Sequence, residues 1–146
     1  MDNVLYNNSN AVTEVAYNRL SKKEYAALLK ATEKATDRQK RAQIVCDYLS
    51  NKYGIQRVFV CVLDTPQRTF SNGNGKVLGD YMPNYNRIRV WNRTAKTHKV
   101  VSIKVFADTL LHEFVHHYDY KYLKLGGSLH TKGFYLRISD LKKKLS

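Results

Sequence analysis

The chain is poor in the features that mark several large classes of protein. Among 146 residues there are only two cysteines, Cys46 and Cys61. No CxxC or Cys–His spacing is present, which excludes a cysteine-based metal ribbon. Both thiols sit in apolar patterns and read as reduced core residues. No run approaches the roughly 18 apolar residues that cross a bilayer, so no membrane partner is expected. The first twenty residues have neither the basic n-region nor the apolar stretch of a secretion signal. They read as a loose polar arm, 1–20, ahead of a single domain over 21–146. A cytoplasmic protein, or a nuclear one in a eukaryote, is expected rather than a secreted one. Acid is scarce too: 12 Asp+Glu stand against 25 Lys+Arg, and no glutamate follows Glu113.

What is present is a globular composition, 43% hydrophobic, with a formal net charge of +13. The surplus is uneven. Residues 71–146 carry 14 Lys+Arg against 5 Asp+Glu, whereas residues 1–70 carry 11 against 7. Such a balance attracts polyanions, nucleic acid first.

Local patterns give the outline of a fold. Ser21-Lys22-Lys23-Glu24 and Thr36-Asp37-Arg38-Gln39 fit capping boxes, and Ala42, Val45, Cys46 and Leu49 recur at helical spacing. Two helices, or one kinked helix, should end at Gly54. "QRVFVCVLD" is a buried strand. "GKVLGDYM" and "YNRIRVWN" are two further strands, the second alternating Ile88 and Val90 with arginines. Ser102 is a plausible cap for a helix that is apolar on most sides and therefore central. Phe134, Ile138, Leu141 and Leu145 share one face of a last helix. These elements add up to an α+β domain, a small antiparallel sheet on helices with one basic edge.

The central helix contains "LLHEFVHHYDY". His112-Glu113-Phe114-Val115-His116 is H-E-x-x-H, which stands two imidazoles one above the other on a helix. Two such groups grip one zinc ion from the same side, with Glu113 one step around the helix. Zinc lowers the pKa of a coordinated water to about 7, and Glu113 is placed to take its proton as it attacks a carbonyl. A catalytic zinc needs a third protein ligand. His117 points about 100° away from His116. Asp119 lies on the ligand stripe, but one helix face seldom supplies three ligands, so it suits the task of orienting an imidazole. His130 follows the Gly126-Gly127 reversal, in phase with Phe134, and is the preferred third ligand.

H-E-x-x-H, then a loop, then a histidine with phenylalanine four residues later resembles the SprT-like metallopeptidase domain, the zincin also found in Spartan proteases. "LGDYMPNYNRIRVWNRT" is similar to that family's strand pair, a glycine-led strand followed by I-x-(V/L)-x-N. The resemblance covers roughly residues 20–145. It implies a zincin-like fold with a central H-E-x-x-H helix, with His112, His116 and His130 as zinc ligands and Glu113 as general base. It also implies hydrolysis of a protein or peptide substrate close to DNA. Two departures are visible. Thr131 stands where the family usually has glycine, with glycine instead at Gly133, and no cysteine-rich ribbon follows. The chain looks like a minimal, protease-only form.

Arg87, Arg89, Arg93, Lys96 and Lys99 interleave with Trp91 and nearby tyrosines. Cations alternating with rings suit single-stranded DNA, although the same pattern also serves to protect a sheet edge. Two other functions stay open at this level. One is a basic nucleic-acid-binding protein with a structural or vestigial metal site. The other is a narrow regulatory peptidase that cleaves one repressor.

Overall fold

The computed structural model describes residues 3–69 and 76–146. The order is α1 (Asn3–Ala11), α2 (Lys23–Leu29), α3 (Ala35–Tyr53), β1 (Phe59–Pro66), β2 (Arg68–Thr69), β3 (Lys76–Val77), β4 (Gly79–Met82), β5 (Arg87–Arg93), α4 (Ile103–Lys121) and α5 (Lys132–Leu145). The class is α+β. The first two expected helices are separate. Ser21 Oγ does bond Glu24, at 2.6 Å, but side chain to side chain, and the cap position of α2 is Lys22. Helix α3 begins at Ala35, which puts Thr36 inside it, and Asp37 instead accepts from Thr32 N at 2.7 Å. Gly54 ends α3 with φ 66°, the left-handed conformation that glycine adopts without a Cβ penalty. Ser102 caps α4 by accepting from Val105 N, and Thr131 caps α5 by accepting from Phe134 N.

The sheet corrects one expectation. It is mixed, with strand order β1-β5-β4, and β1 pairs with β5 in parallel while β4 pairs with β5 antiparallel. The physical reason lies in the connection. β4 starts at the end where β1 stops, as in a simple antiparallel meander, but takes the place one strand further out. The turn over residues 83–86 then returns β5 into the gap, so β5 is inserted between β1 and β4. The basic strand β5 is therefore the centre of the sheet and not its edge. Part of the β1–β4 connection, 70–75, lies outside the described residues.

The two true edges are treated differently. Along β1, α3 lays two glutamines against the free backbone. Gln43 accepts from Val60 N and donates to Val58 O at 2.8 and 2.9 Å, and Gln39 accepts from Val62 N at 2.8 Å. Side chains thus satisfy the row of polar groups that makes an edge prone to pair with other chains. β4, the other edge, packs beside α4 instead.

Helix α4 runs through the middle. Phe106, Leu110, Leu111, Phe114 and Val115 are 0% exposed and join Ile88, Val90, Leu49 and Phe134 in one core. Ile138 packs against that core from α5 while partly exposed.

The expected loose arm is also corrected. Residues 3–11 form α1, which docks on α5. Ser9 is fully buried, and Arg137 donates to Ser9 O and Val12 O, both at 2.6 Å. Gly133 N donates to Asn10 Oδ1 at 2.9 Å. Glycine is needed here because a Cβ at 133 would lie 2.4 Å from Ser9 O. Gly133→Ala is expected to pry α1 from α5. The cost should be about 1–3 kcal/mol, typical of overpacking. Thermal unfolding together with hydrogen exchange over residues 3–11 checks it.

Candidate metal centre

The i, i+4 spacing on α4 sets His112 and His116 on one face, with ring centroids 5.1 Å apart. The chain then leaves α4 at Tyr122 and reverses through 123–130 to bring in His130. This residue stands just before the cap of α5, so the loop aims it and not the helix face. His130 Nε2 is 3.3 Å from His112 Nε2 and 3.0 Å from His116 Nε2. One ligand atom from each histidine falls within 4.8 Å of the others, close enough to hold a metal ion. For metal–nitrogen bonds of about 2.0–2.1 Å, tetrahedral ligands stand about 3.3–3.4 Å apart. The observed separations fit that edge length.

The tautomer of His116 also fits. Its Nδ1 lies 2.7 Å from Ser128 Oγ, and Ser128 Oγ donates its own proton to Asp119 Oδ2 at 2.7 Å. The hydroxyl is therefore an acceptor toward the ring, His116 carries its proton on Nδ1, and Nε2 keeps a lone pair facing the cluster. Burial, with the other imidazoles, pushes His112 down to about 4 and His116 down to about 3. Both rings are neutral at pH 7, the form a metal requires.

Asp119 reaches an imidazole only through an intermediary. It does not touch an imidazole; Ser128 does. Behind it Arg137 holds both carboxylate oxygens, Nε to Oδ1 at 3.0 Å and Nη2 to Oδ2 at 2.8 Å, with both side chains 0% exposed. Ser9 Oγ bonds Thr131 Oγ1 at 2.8 Å, and Thr131 is the residue after His130. That gives Thr131 a concrete task where a glycine was expected. Ser128, Arg137 and Ser9 were not singled out from sequence. One signal was available: Arg137 falls in phase with Phe134 and Leu141, a charge on an apolar face that needs a buried partner.

Glu113 is 7% exposed and lines a cleft of about 660 Å3 together with all three histidines. Its carboxylate has no hydrogen bond or ion pair among the described residues. Burial, reinforced by Asp80, pushes it up to about 8. The cleft follows α4 from Asp108 to Tyr120 and β4 from Leu78 to Pro83, a helix span of about 18 Å. Gly79 lets β4 come this close, since a Cβ there would meet Thr109 Cγ2 and Arg89 O at 2.8 Å. His117 points away, as expected. Its Nε2 donates to Gln56 O at 2.7 Å, and its Nδ1 accepts from Tyr81 Oη at 2.7 Å.

The basic strand does not present the surface its pattern suggested. Trp91 is 4% exposed, so its ring faces cannot stack on bases. Arg89 is held by Asp80 through two bonds and lies over the Trp91 ring at 5.1 Å. Arg93 pairs with Asp64 at 3.1 Å and donates to His98 O. The pattern read as open cations because the carboxylates that pair with them come from β4 and β1. Arg87, Lys96 and Lys99 remain exposed.

Comparison with known proteins returned no matching family model, no matching curated protein and no matching solved structure. Among the described residues no helix is long and apolar enough to cross a membrane.

The Glu113 shift has a consequence for metal-free protein. A carboxyl whose folded pKa is raised contributes stability below its unfolded value, about 4.5, and loses it as pH rises through about 8. The lowered histidines complete their gain within about one pH unit above 6.5, which offsets part of the Glu113 loss between pH 6.5 and 8. With chelator present, stability should fall across that window by at most about 2 kcal/mol. Glu113→Gln should flatten the slope, which denaturant titration at several pH values measures.

Proposed function

We propose that the chain is a zinc-dependent metalloendopeptidase of the SprT-like kind, acting on proteins associated with DNA. One observation carries the reading. Three imidazoles converge, one with its lone pair directed inward by a buried relay, and the same cleft holds a buried, unpaired glutamate one residue from a ligand. A purely structural centre has no use for that carboxylate, whose burial without a partner is costly.

Each group has a distinct task in this reading. His112, His116 and His130 would hold the ion through Nε2. Zinc bound there supplies a Lewis acid that polarises a carbonyl and acidifies a water. Glu113 would take the proton from the attacking water and pass it to the leaving amine, the adjacent cation favouring the carboxylate form that this requires. Ser128 and Asp119 keep His116 in one tautomer throughout. β4, the outer strand on that side of the sheet, borders the cleft, and an extended substrate segment can add to it as a further strand. About five extended residues fit along an 18 Å groove. The link to DNA rests on the net charge of +13.

Glu113→Gln should keep one zinc per chain and lose about 10²–10⁴ in turnover of an unstructured protein substrate. His130→Ala should lose tight zinc binding, while His117→Ala should keep it. Metal analysis after dialysis, paired with peptide-release assays, checks all three. Undiminished proteolysis by the Glu113 variant would rule the mechanism out.

A further inference from the structure

A second concavity, of about 560 Å3, lies at the far end of α5 from the histidines, between residues 18–22 and the last turns of that helix. Arg19, Lys22, Lys143 and Lys144 line it, with Asp140 as the one carboxylate side chain among the lining residues. Asp140 is already engaged, accepting from Val15 N at 2.9 Å and pairing with Lys144 Nζ at 2.8 Å. Lys22 Nζ donates to Ser146 O at 2.8 Å and keeps two protons free. Arg19 and Lys143 are exposed and have no partner among the described residues. Lys144 is held by Asp140 and Lys22 by Ser146 O, which leaves Arg19 and Lys143 as the unengaged cations of the groove. The helix C-terminus compensates part of this, but the dipole does not explain why residues 18–22 add Arg19 and Lys22 from the opposite wall.

An exposed aromatic residue adjoins the groove in the chain. Tyr17, next in the chain to Asn18 of the lining, is 48% exposed and holds φ 69°, a conformation uncommon outside glycine. It leans on Tyr53 with centroids 5.6 Å apart, and Lys52 Nζ lies 4.9 Å from its centroid. Exposed cations with an exposed ring are the features that bind single strands, cations to phosphates and ring to base.

The geometry points to this groove as the contact for a single-stranded nucleic acid, its phosphodiester backbone between Arg19 and Lys143 and a base near Tyr17. The assignment deepens the nucleic-acid part of the reading above and rests on it, but it does not depend on peptide hydrolysis. α5 then acts as a spacer. From Thr131 to Lys143 it spans about 18 Å, which sets the strand apart from the cleft and leaves room for a protein carried on that strand to reach the histidines.

The test is fluorescence anisotropy with a labelled oligothymidylate of about 20 nucleotides, longer than one binding site, across a salt series. It uses the full chain with Glu113→Gln in every variant, so that binding is read apart from hydrolysis. Arg19→Glu with Lys143→Glu should weaken binding about tenfold or more in low salt. It should also reduce the log–log salt slope by about 1.4, for two lost phosphate contacts. Both side chains are exposed and unbonded, so an unchanged unfolding midpoint should accompany the loss. Tyr17→Ala should weaken binding several-fold with the slope kept, and Arg87→Glu with Lys96→Glu and Lys99→Glu should stay within about twofold. Wild-type affinity and slope in the Arg19/Lys143 variant would overturn the groove while leaving the nucleic-acid reading in place. Competition by polyglutamate as strong as by the oligonucleotide would also overturn it, in favour of an acidic protein partner. No binding by any variant in low salt would remove nucleic acid altogether and leave peptide hydrolysis to be judged on its own assay.

Discussion

Arg137 and Asp119 form an ion pair from which solvent is wholly excluded. Removing two charges from water costs several kcal/mol each, and only close geometry with further hydrogen bonds offsets it. Here the guanidinium makes five bonds, two to Asp119, one each to Ser9 O and Val12 O at 2.6 Å, and one to Ser9 Oγ at 3.3 Å. That matches its five N–H donors. Four pieces of chain meet on this pair: α4 through Asp119, α5 through Arg137, α1 through its carbonyls and the His130 loop through Ser128. Losing either partner would leave a buried charge and disconnect all four. The cluster of histidines thus stands on a polar core as much as on an apolar one.

The same arrangement explains how a cluster able to hold a metal is built from so little chain. Two of its histidines come from one helix at no loop cost. The third arrives on a short reversal, and a flexible reversal would hold it loosely. Ser128 bonded to Asp119 and Thr131 bonded to Ser9 pin the chain on either side of His130. Phe134 closes the floor, with its ring 4.5 Å from that of His116 and 5.2 Å from that of His130. The sheet serves the site in a different way. Glutamines from α3 occupy the β1 edge, and Gly79 seats the opposite edge, β4, against α4 beside Glu113.

Much of this could be read from sequence where it depended on neighbours in the chain. The i, i+4 histidines, the Ser102 cap, the Gly54 stop and the apolar face of α5 are local, and all stand where their spacing put them. What escaped depends on distant partners. The stretch "NVLYNNSNA" has no strong apolar stripe, so nothing in it announces α1; its docking is supplied by Arg137 and by the gap at Gly133, more than 120 residues away. Parallel pairing of β1 with β5 escaped because β5 is inserted between β1 and β4, strands whose chain ends still suit an antiparallel turn. Arg89 and Arg93 looked free because alternation reveals which face a residue takes, not whether Asp80 or Asp64 waits there. Ser128 escaped because a lone serine in a glycine-containing loop carries no pattern at all.

The central claim is that His112, His116 and His130 bind one metal ion through their Nε2 atoms. X-ray absorption at the zinc edge of the loaded protein tests it most directly. Three imidazole nitrogens at about 2.0–2.1 Å with one further light ligand are expected, with the outer-sphere scattering of three rings. A coordination shell holding sulfur, or one with fewer than three imidazoles, would refute the centre and with it the functional reading built on it.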